Sequence, residues 1–266
     1  MRVSAHVEII AHRGASRDRL ENTMAAFSAG LEQGADALEL DVHATRDGVV
    51  VVHHDPEVSA GATKAERAKG AEGVKGAERA DGDTGPSGRR LIISAVDYTT
   101  LNAVRLRNGE PLPTLDAVLR LAAGKATVYV EVKGLGIETE VIACLNRHAD
   151  TQTAVHSFDH RISHKIGTHN ALTPIGILSA SYVLDLEHMI NAAGARDLWQ
   201  QAALIDQELI DTAHSVGARV IAWTENDVQH AAELVQMGVD AICTDTPRVM
   251  REGLLAAGLL HRSLNN

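Results

Sequence analysis

Residues 37–55 read ALELDVHATRDGVVVVHHD. The first six residues have the apolar character of a buried strand, yet they include Glu39 and Asp41. Side chains two apart on a strand share a face, so both carboxylates lie on one side, with Leu38, Leu40 and Val42 on the other. Asp47-Gly48 reads as a turn into a run of four valines that ends in His53, His54 and Asp55. Two like charges a few ångströms apart repel, and ionised groups are costly to bury unless they are paired or bind a cation. The carboxylates therefore sit either in water at a strand end or around something positive.

The pattern continues outward on both sides. VEIIAH (7–12), ALELDV (37–42), TVYVEVKG (127–134), TAVHSF (153–158), TPIGIL (173–178), ALID (203–206), RVIAWT (219–224) and DAICTD (240–245) make eight short apolar strands. Helical segments alternate with them. In one, Asn22 is placed to cap a helix whose Met24, Phe27 and Leu31 recur at helical spacing before Gly34. Others are IETEVIACLNRHA, YVLDLEHMINAAG, QELIDTAHSVG and VQHAAELVQMG. Strands alternating with helices pair in parallel, and eight such units in 266 residues predict a single α/β domain, a (β/α)8 TIM barrel. An open doubly wound sheet is the alternative. No G-x-G-x-x-G follows the first strand, which weakens a dinucleotide reading.

One segment breaks the rhythm. Residues 60–90, AGATKAERAKGAEGVKGAERADGDTGPSGRR, are rich in Ala, Gly and charge and half-repeat themselves. They cannot bury enough surface to offset ordering entropy, and are expected to form a mobile, low-complexity insertion in the one domain.

Composition narrows the function. The chain carries 25 basic and 35 acidic residues, net −10, and only 3% aromatics. That argues against nucleic acid and against anionic membrane surfaces. No apolar run reaches the roughly 20 residues of a membrane span, and the first residues offer none long enough for a signal peptide. Cys144 and Cys243 lie far apart in apolar runs. They are expected to be buried, reduced thiols of a cytoplasmic protein.

In a (β/α)8 barrel the chemistry collects at the C-terminal ends of the strands. The polar residues there are His12-Arg13, Glu39 and Asp41, His53-His54-Asp55, Glu131 and Lys133, His156, and Trp223. Oxygen-only ligation by Glu39, Asp41 and Glu131 suits one hard divalent ion, Mg2+ or Ca2+. Arg13 and Lys133 beside it suit a phosphate. His12 and His54 have the intrinsic proton affinity for acid–base work near neutrality, with His12 read as base and His54 as acid. Asp55 reads as a turn residue or an orienter of a histidine, and Asp245 as a turn or helix cap. His156 reads as either structural or supporting the site.

AHRGAS followed by LENT, then LELDV, VVVHHDP and VEVKG, together with SF, AWTEND and GVDAICTD, run through nearly the whole chain in one order. Together they resemble the glycerophosphodiester phosphodiesterase family. The resemblance implies a (β/α)8 barrel, one divalent cation, and hydrolysis of a glycerophosphodiester to an alcohol and glycerol phosphate. It implies Glu39, Asp41 and Glu131 as metal ligands, His12 and His54 as the acid/base pair, and Arg13 and Lys133 as phosphate-binding cations. Glu21 corresponds to the glutamate of E-N-T, a partner for Arg13 or the metal surroundings, and Trp223 to the wall on the glycerol side. The chain departs from the family's pattern at Leu20, usually proline, at His53 and Glu225, both usually apolar, and across 60–90. Two other readings remain at this stage. One is a lysophospholipase D-type enzyme, which needs an apolar groove for which the sequence shows no leucine-rich or aromatic loop. The other is a silent phosphate binder, which would be expected to have lost a carboxylate or histidine.

Overall fold

The computed structural model describes residues 7–59 and 90–260. The segment read as a mobile insertion lies outside the described residues, except Arg90. In chain order the elements are β1 (Glu8–Ala11), α1 (Met24–Glu32), β2 (Ala37–Ala44), β3 (Val50–Val52), β4 (Glu57–Ser59), β5 (Arg90–Ile92), α2 (Tyr98–Asn102), α3 (Leu115–Ala122) and β6 (Thr127–Val132). Then follow α4 (Glu138–Asn146), β7 (Thr153–Ser157), α5 (His160–His169), β8 (Ile175–Ser179), α6 (Leu186–Ala193) and β9 (Asp197–Gln201). The chain continues with α7 (Gln207–Ser215), β10 (Arg219–Trp223), α8 (Val228–Met237), β11 (Ala241–Thr244) and α9 (Pro247–Ala256).

Eight parallel strands close on themselves in the order β1-β2-β6-β7-β8-β9-β10-β11, with β11 returning to β1. The expected (β/α)8 barrel is the fold. Past the point where β1 ends, β3 runs antiparallel against the tip of β2, pairing Val42 with Val52 and Ala44 with Val50. That hairpin delivers His53 and His54 to the barrel mouth: the His53 amide donates to the carbonyl of Asp41 at 3.0 Å.

Strand alternation sorts the side chains. Leu38, Leu40 and Val42 join Phe27, Leu119 and Val141 in the layer between sheet and helices. The inside holds Ile10, Ala37, Tyr129, Ala154, Leu178, Trp199, Ile221 and Cys243. Each fully buried Leu, Ile or Val is worth roughly 1.5–3 kcal/mol of transfer free energy, so this double burial drives closure. The barrel floor is polar: Arg219 donates to Glu8 at 2.6 Å and to the Tyr129 hydroxyl at 3.1 Å.

Two local expectations differ from the structure. The sixth barrel strand is DLWQQ (Asp197–Gln201), whereas ALID falls in a short 3-10 turn (Ala202–Leu204) and the approach to α7. Asp197 and Gln200 are completely buried, and such polar residues hide a strand from a search for apolar runs. Arg196 and Arg219 neutralise Asp197. The cap of α1 is Thr23, whose hydroxyl accepts from the Ala26 amide at 3.2 Å, not Asn22. Both cysteines are buried free thiols, and none of the described helices is long and apolar enough to cross a membrane.

Candidate active site

The site is built on three adjacent strands. Asp41 of β2 lies in register with Glu131 of β6, which lies in register with His156 of β7. All three side chains point into the barrel, with Glu39 one residue pair deeper on β2 and similarly buried. Glu39, Glu131 and His156 each offer a ligand atom within 4.8 Å of the others.

The structure thus brings together two of the three carboxylates read as a metal set, and groups the third differently. Asp41 turns to the cations. One of its oxygens lies 3.0 Å from Arg13 Nε and accepts from Asn22 Nδ2 at 2.8 Å; the other lies 3.3 Å from Lys133 Nζ. Glu39 instead accepts the backbone N–H of Arg13 at 3.1 Å. The division has an electrostatic cause: two carboxylates on one strand face repel, and Asp41, with both cations, takes the negative charge. Burial acts to raise its pKa, but Arg13 and Lys133 outweigh that and hold it below the usual carboxylate range. Burial, with Asp41 and Glu131 beside it, pushes Glu39 well above that range. Burial and Asp41 raise Glu131 to about 7, although Lys133 sits 2.8 Å away. Lys133 itself is drawn down by burial but ends above its ordinary value because of Asp41 and Glu131.

His156 is buried and stacks on Trp199 with ring centroids 4.1 Å apart. Burial lowers its pKa to about 3, so the ring is neutral; Nε2 lies 3.8 Å from Glu39, and Nδ1 is buried without a hydrogen-bond partner. Two buried carboxyls that resist ionising side by side, and an imidazole with a buried ring nitrogen lacking a partner, are groups that a divalent cation would draw together as ligands. The residues present therefore fit a bound divalent ion.

The loop after β1 carries His12 and Arg13, and its backbone is bent to do so. Arg13 has φ 56° and Asn22 φ 55°, left-handed conformations that non-glycine residues seldom adopt. The Asn22 amide donates to the Arg13 carbonyl at 3.0 Å. Glu21 receives the Arg13 guanidinium at 3.1 and 3.2 Å. The L-E-N-T tetrapeptide thereby divides its labour: Glu21 holds Arg13, Asn22 holds Asp41, and Thr23 starts the helix.

Each histidine leans on an aspartate. His12 Nδ1 donates to Asp245 Oδ1 at 2.7 Å, and His54 Nδ1 donates to Asp55 at 2.7 Å. An ionised carboxylate can only accept, so each of these bonds keeps a proton on Nδ1 and leaves Nε2 as the ring nitrogen available for proton transfer. Asp245 also accepts from Ser16 at 2.9 Å and from Asn226 at 2.8 Å. Burial works against its ionisation, yet the bonds from His12 and Asn226 bring its pKa to about 2. His43, buried on β2 beyond Asp41, donates to the carbonyl of His54 at 3.1 Å. Trp223 is half-buried at the end of β10 and meets Phe158 edge to face at 5.4 Å.

Ser16, His43 and Asn226 were not singled out in the sequence, Asn22 was read only as a helix cap, and Asp245 as a turn or helix cap. The signal for Asp245 was the polar T-D ending of the last strand, the same kind of ending that marked His12. Glu225, a departure from the family pattern, is buried and bonded to His230 of α8 and to the Asp227 amide. That fastens the loop presenting Asn226. Against expectation, the mouth loops do expose large apolar side chains: Leu135, Phe158, Tyr182 and Leu184.

The model of the glycerophosphoryl diester phosphodiesterase family matches residues 12–249. A glycerophosphodiester phosphodiesterase of Caldanaerobacter subterraneus is 30% identical over 249 residues, covering 91% of this chain and 95% of that one. One from Bacillus altitudinis is 26% identical, covering 90% and 95%. Among solved structures, an Oleispira antarctica phosphodiesterase in complex with the product sn-glycerol-3-phosphate superposes with a TM-score of 0.76 at 20% identity, covering 94% and 97%. Family match, barrel and mouth residues agree, and the chain belongs to the glycerophosphoryl diester phosphodiesterase family.

Proposed function

We propose that the chain is a metal-dependent hydrolase that converts glycerophosphodiesters to an alcohol and sn-glycerol 3-phosphate, using His12 and His54 for proton transfer. The observation that carries this reading is the convergence of Glu39, Glu131 and His156 with Arg13 and Lys133 beneath two aspartate-oriented histidines.

Glu39 and Glu131, with His156 in reach of both, would hold the divalent ion, Mg2+ or Ca2+, and Asp41 would join them where it is released from Arg13 and Lys133; bound, the ion would supply Lewis-acid polarisation of a phosphoryl oxygen. Arg13 and Lys133 bind the phosphodiester and stabilise the charge that grows on its oxygens in the transition state. Their present partners, Asp41, Glu131 and Glu21, keep both fully charged and aimed at the mouth. His12, its Nδ1 proton fixed on an ionised Asp245, accepts a proton at Nε2 from the attacking neighbouring glycerol hydroxyl, Asp245 stabilises the imidazolium that results, and water then opens the cyclic phosphate to glycerol phosphate. His54, in its protonated form, gives the Nε2 proton to the departing alkoxide. Trp223 walls the glycerol side.

The test is incubation with glycerophosphocholine and glycerophosphoethanolamine, with Mg2+, with Ca2+ and with chelator, measuring glycerol phosphate and free alcohol. Metal-dependent release of both products is expected. No glycerol phosphate under any metal condition would end the reading; a lysophospholipid assayed beside them, with lysophosphatidate measured, then separates a lysophospholipase D-type enzyme from a silent phosphate binder.

A further inference from the structure

Seven large apolar side chains stand exposed among the described residues: Ile92, Leu135, Phe158, Leu172, Tyr182, Leu184 and Val249. Single exposed leucines are ordinary on protein surfaces, and Leu172, in the loop leading into β8, is one such case. Ile92 on β5 and Val249 on α9 are two more, but the remaining four are grouped. Leu135 follows β6, Phe158 follows β7, and Tyr182 and Leu184 follow β8, three strands adjacent in the barrel. All four therefore lie at the C-terminal mouth, on one side, beside the phosphodiester site.

The rim is continuous with the chemistry. Lys133 Nζ lies 5.7 Å from the centre of the Phe158 ring, and Phe158 meets Trp223. The loop bearing Tyr182 and Leu184 is pinned at its base. Ser179 Oγ donates to the Ser181 carbonyl at 2.7 Å, Gln200 donates to the same carbonyl at 3.3 Å, and the Tyr182 hydroxyl donates to Asp206 at 3.1 Å. A loop fastened in this way projects its leucine. Leu184 is 98% exposed and Leu135 78%. Side chains so fully exposed form no groove that could wrap a ligand; they fit a soft apolar phase into which they can dip.

We propose that this rim docks the mouth on a zwitterionic phospholipid surface, with Leu135 and Leu184 entering the acyl boundary and Tyr182 at headgroup level. The chain's net charge of −10 opposes anionic lipid, so attraction rests on apolar burial and not on headgroup charge. Docking of this kind needs no spanning helix. It turns the mouth toward a surface of phosphodiesters of acylated glycerol, chemically related to the proposed substrates, and so rests on the activity proposed above.

The experiment is co-sedimentation of the full chain with phosphatidylcholine vesicles, for the wild type and for Leu135→Ser, Leu184→Ser and the double variant. Hydrolysis of soluble glycerophosphocholine is assayed in parallel. The wild type is expected to partition to the vesicles. Each substitution should weaken partitioning roughly tenfold, the scale of one leucine kept out of an apolar phase. Glycerophosphocholine turnover should stay at the wild-type level, which also shows that the variants are folded. Adding phosphatidylglycerol should weaken binding. A wild type that stays in the supernatant, a double variant that sediments like the wild type, or binding that strengthens with anionic lipid would overturn the proposal. So would a double variant altered only in its oligomeric mass, because the rim would then be a face between copies. Vesicle binding by a wild type that does not hydrolyse glycerophosphocholine would leave the rim standing and remove the proposed activity instead.

Discussion

His12 meets Asp245 at 2.7 Å across 233 residues of sequence, joining the end of the first barrel strand to the end of the last. The contact exists because β1 and β11 are neighbours in the closed barrel, with Ala11 in register with Thr244. Four further hydrogen bonds hold the Asp245 unit: Ser16 and Asn226 Nδ2 donate to its carboxylate, its own amide donates to Asn226 Oδ1, and the Arg17 amide donates to its carbonyl. Replacing Asp245 by Asn keeps the shape and frees His12 to adopt the other tautomer. We expect Asp245→Asn to lower kcat by roughly 10²–10⁴-fold. KM and the metal requirement should change little, because Asp245 touches neither cation. A fall confined to KM would show that Asp245 supports binding and not proton transfer.

The two histidines serve one reaction cycle, so their losses should not add. His12→Ala and His54→Ala are each expected to lower kcat by roughly 10²–10⁴-fold, and the double variant to be little worse than the weaker single. Steady-state rates on one glycerophosphodiester decide this. Near-full turnover in either single variant removes that histidine from the mechanism.

Cation binding should stabilise the protein most at high pH. Glu131, raised to about 7, and Glu39, raised by burial and by Asp41 and Glu131, hold protons that an unfolded chain would have released near the ordinary carboxylate pKa of about 4.3. A carboxyl raised on folding contributes stability that is present below the unfolded value and is lost as pH rises through the folded one. Chelated protein should therefore lose stability between about pH 4.5 and 7. Mg2+ or Ca2+ must displace those protons, so its effect should be small at pH 5.5 and large at pH 8. At a hundred times Kd the stabilisation is about 2.7 kcal/mol, several degrees of Tm for a chain of this size. Melting curves at both pH values, with chelator and with each ion, test the point. Glu39→Gln should shrink the pH 8 shift, and an equal shift at both pH values would exclude these carboxyls as the ligands.

The barrel was legible because seven of its eight strands are apolar runs whose alternation with helices survives local noise. The other strand was misplaced by a few residues: Asp197 and Gln200 interrupt its apolar run, and their burial is understood only once Arg196 and Arg219 are seen to pair with Asp197 and the Ser181 carbonyl to accept from Gln200. The candidate site shows the same split. Glu39, Asp41, Glu131 and Lys133 could be placed on common faces by counting in twos. The choice of partners could not, because whether Asp41 or Glu39 takes the cations depends on the reach of Arg13 from a loop with left-handed backbone. His156 was visible as a strand-end histidine, but its proximity to Glu39 depends on barrel register. Asp245 and Asn226 act on His12 from the far end of the chain, a relation no local pattern carries.

That loop depends on one glycine more than on any side chain it bears. Gly14 has φ +83°, and a Cβ added there would lie 2.5 Å from the Ala26 carbonyl carbon and 2.6 Å from its oxygen, in the backbone of α1. The next residue uses the close approach: the Ala15 amide donates to that same oxygen at 2.9 Å. Gly14→Ala therefore combines a left-handed alanine, about 1–2 kcal/mol, with overpacking of about 1–3 kcal/mol. A fall in Tm of roughly 5–15 °C is expected. Gly194→Ala is the control: it also sits at positive φ, +68°, at the end of α6, but has open space around the added carbon. It should lose only the conformational part, about 1–2 kcal/mol. The two should differ in activity as well, since only Gly14 sets the Arg13 amide against Glu39. Equal losses of Tm in the two variants would mean that α1 gives way easily and that the loop is not held by its contact with Ala26.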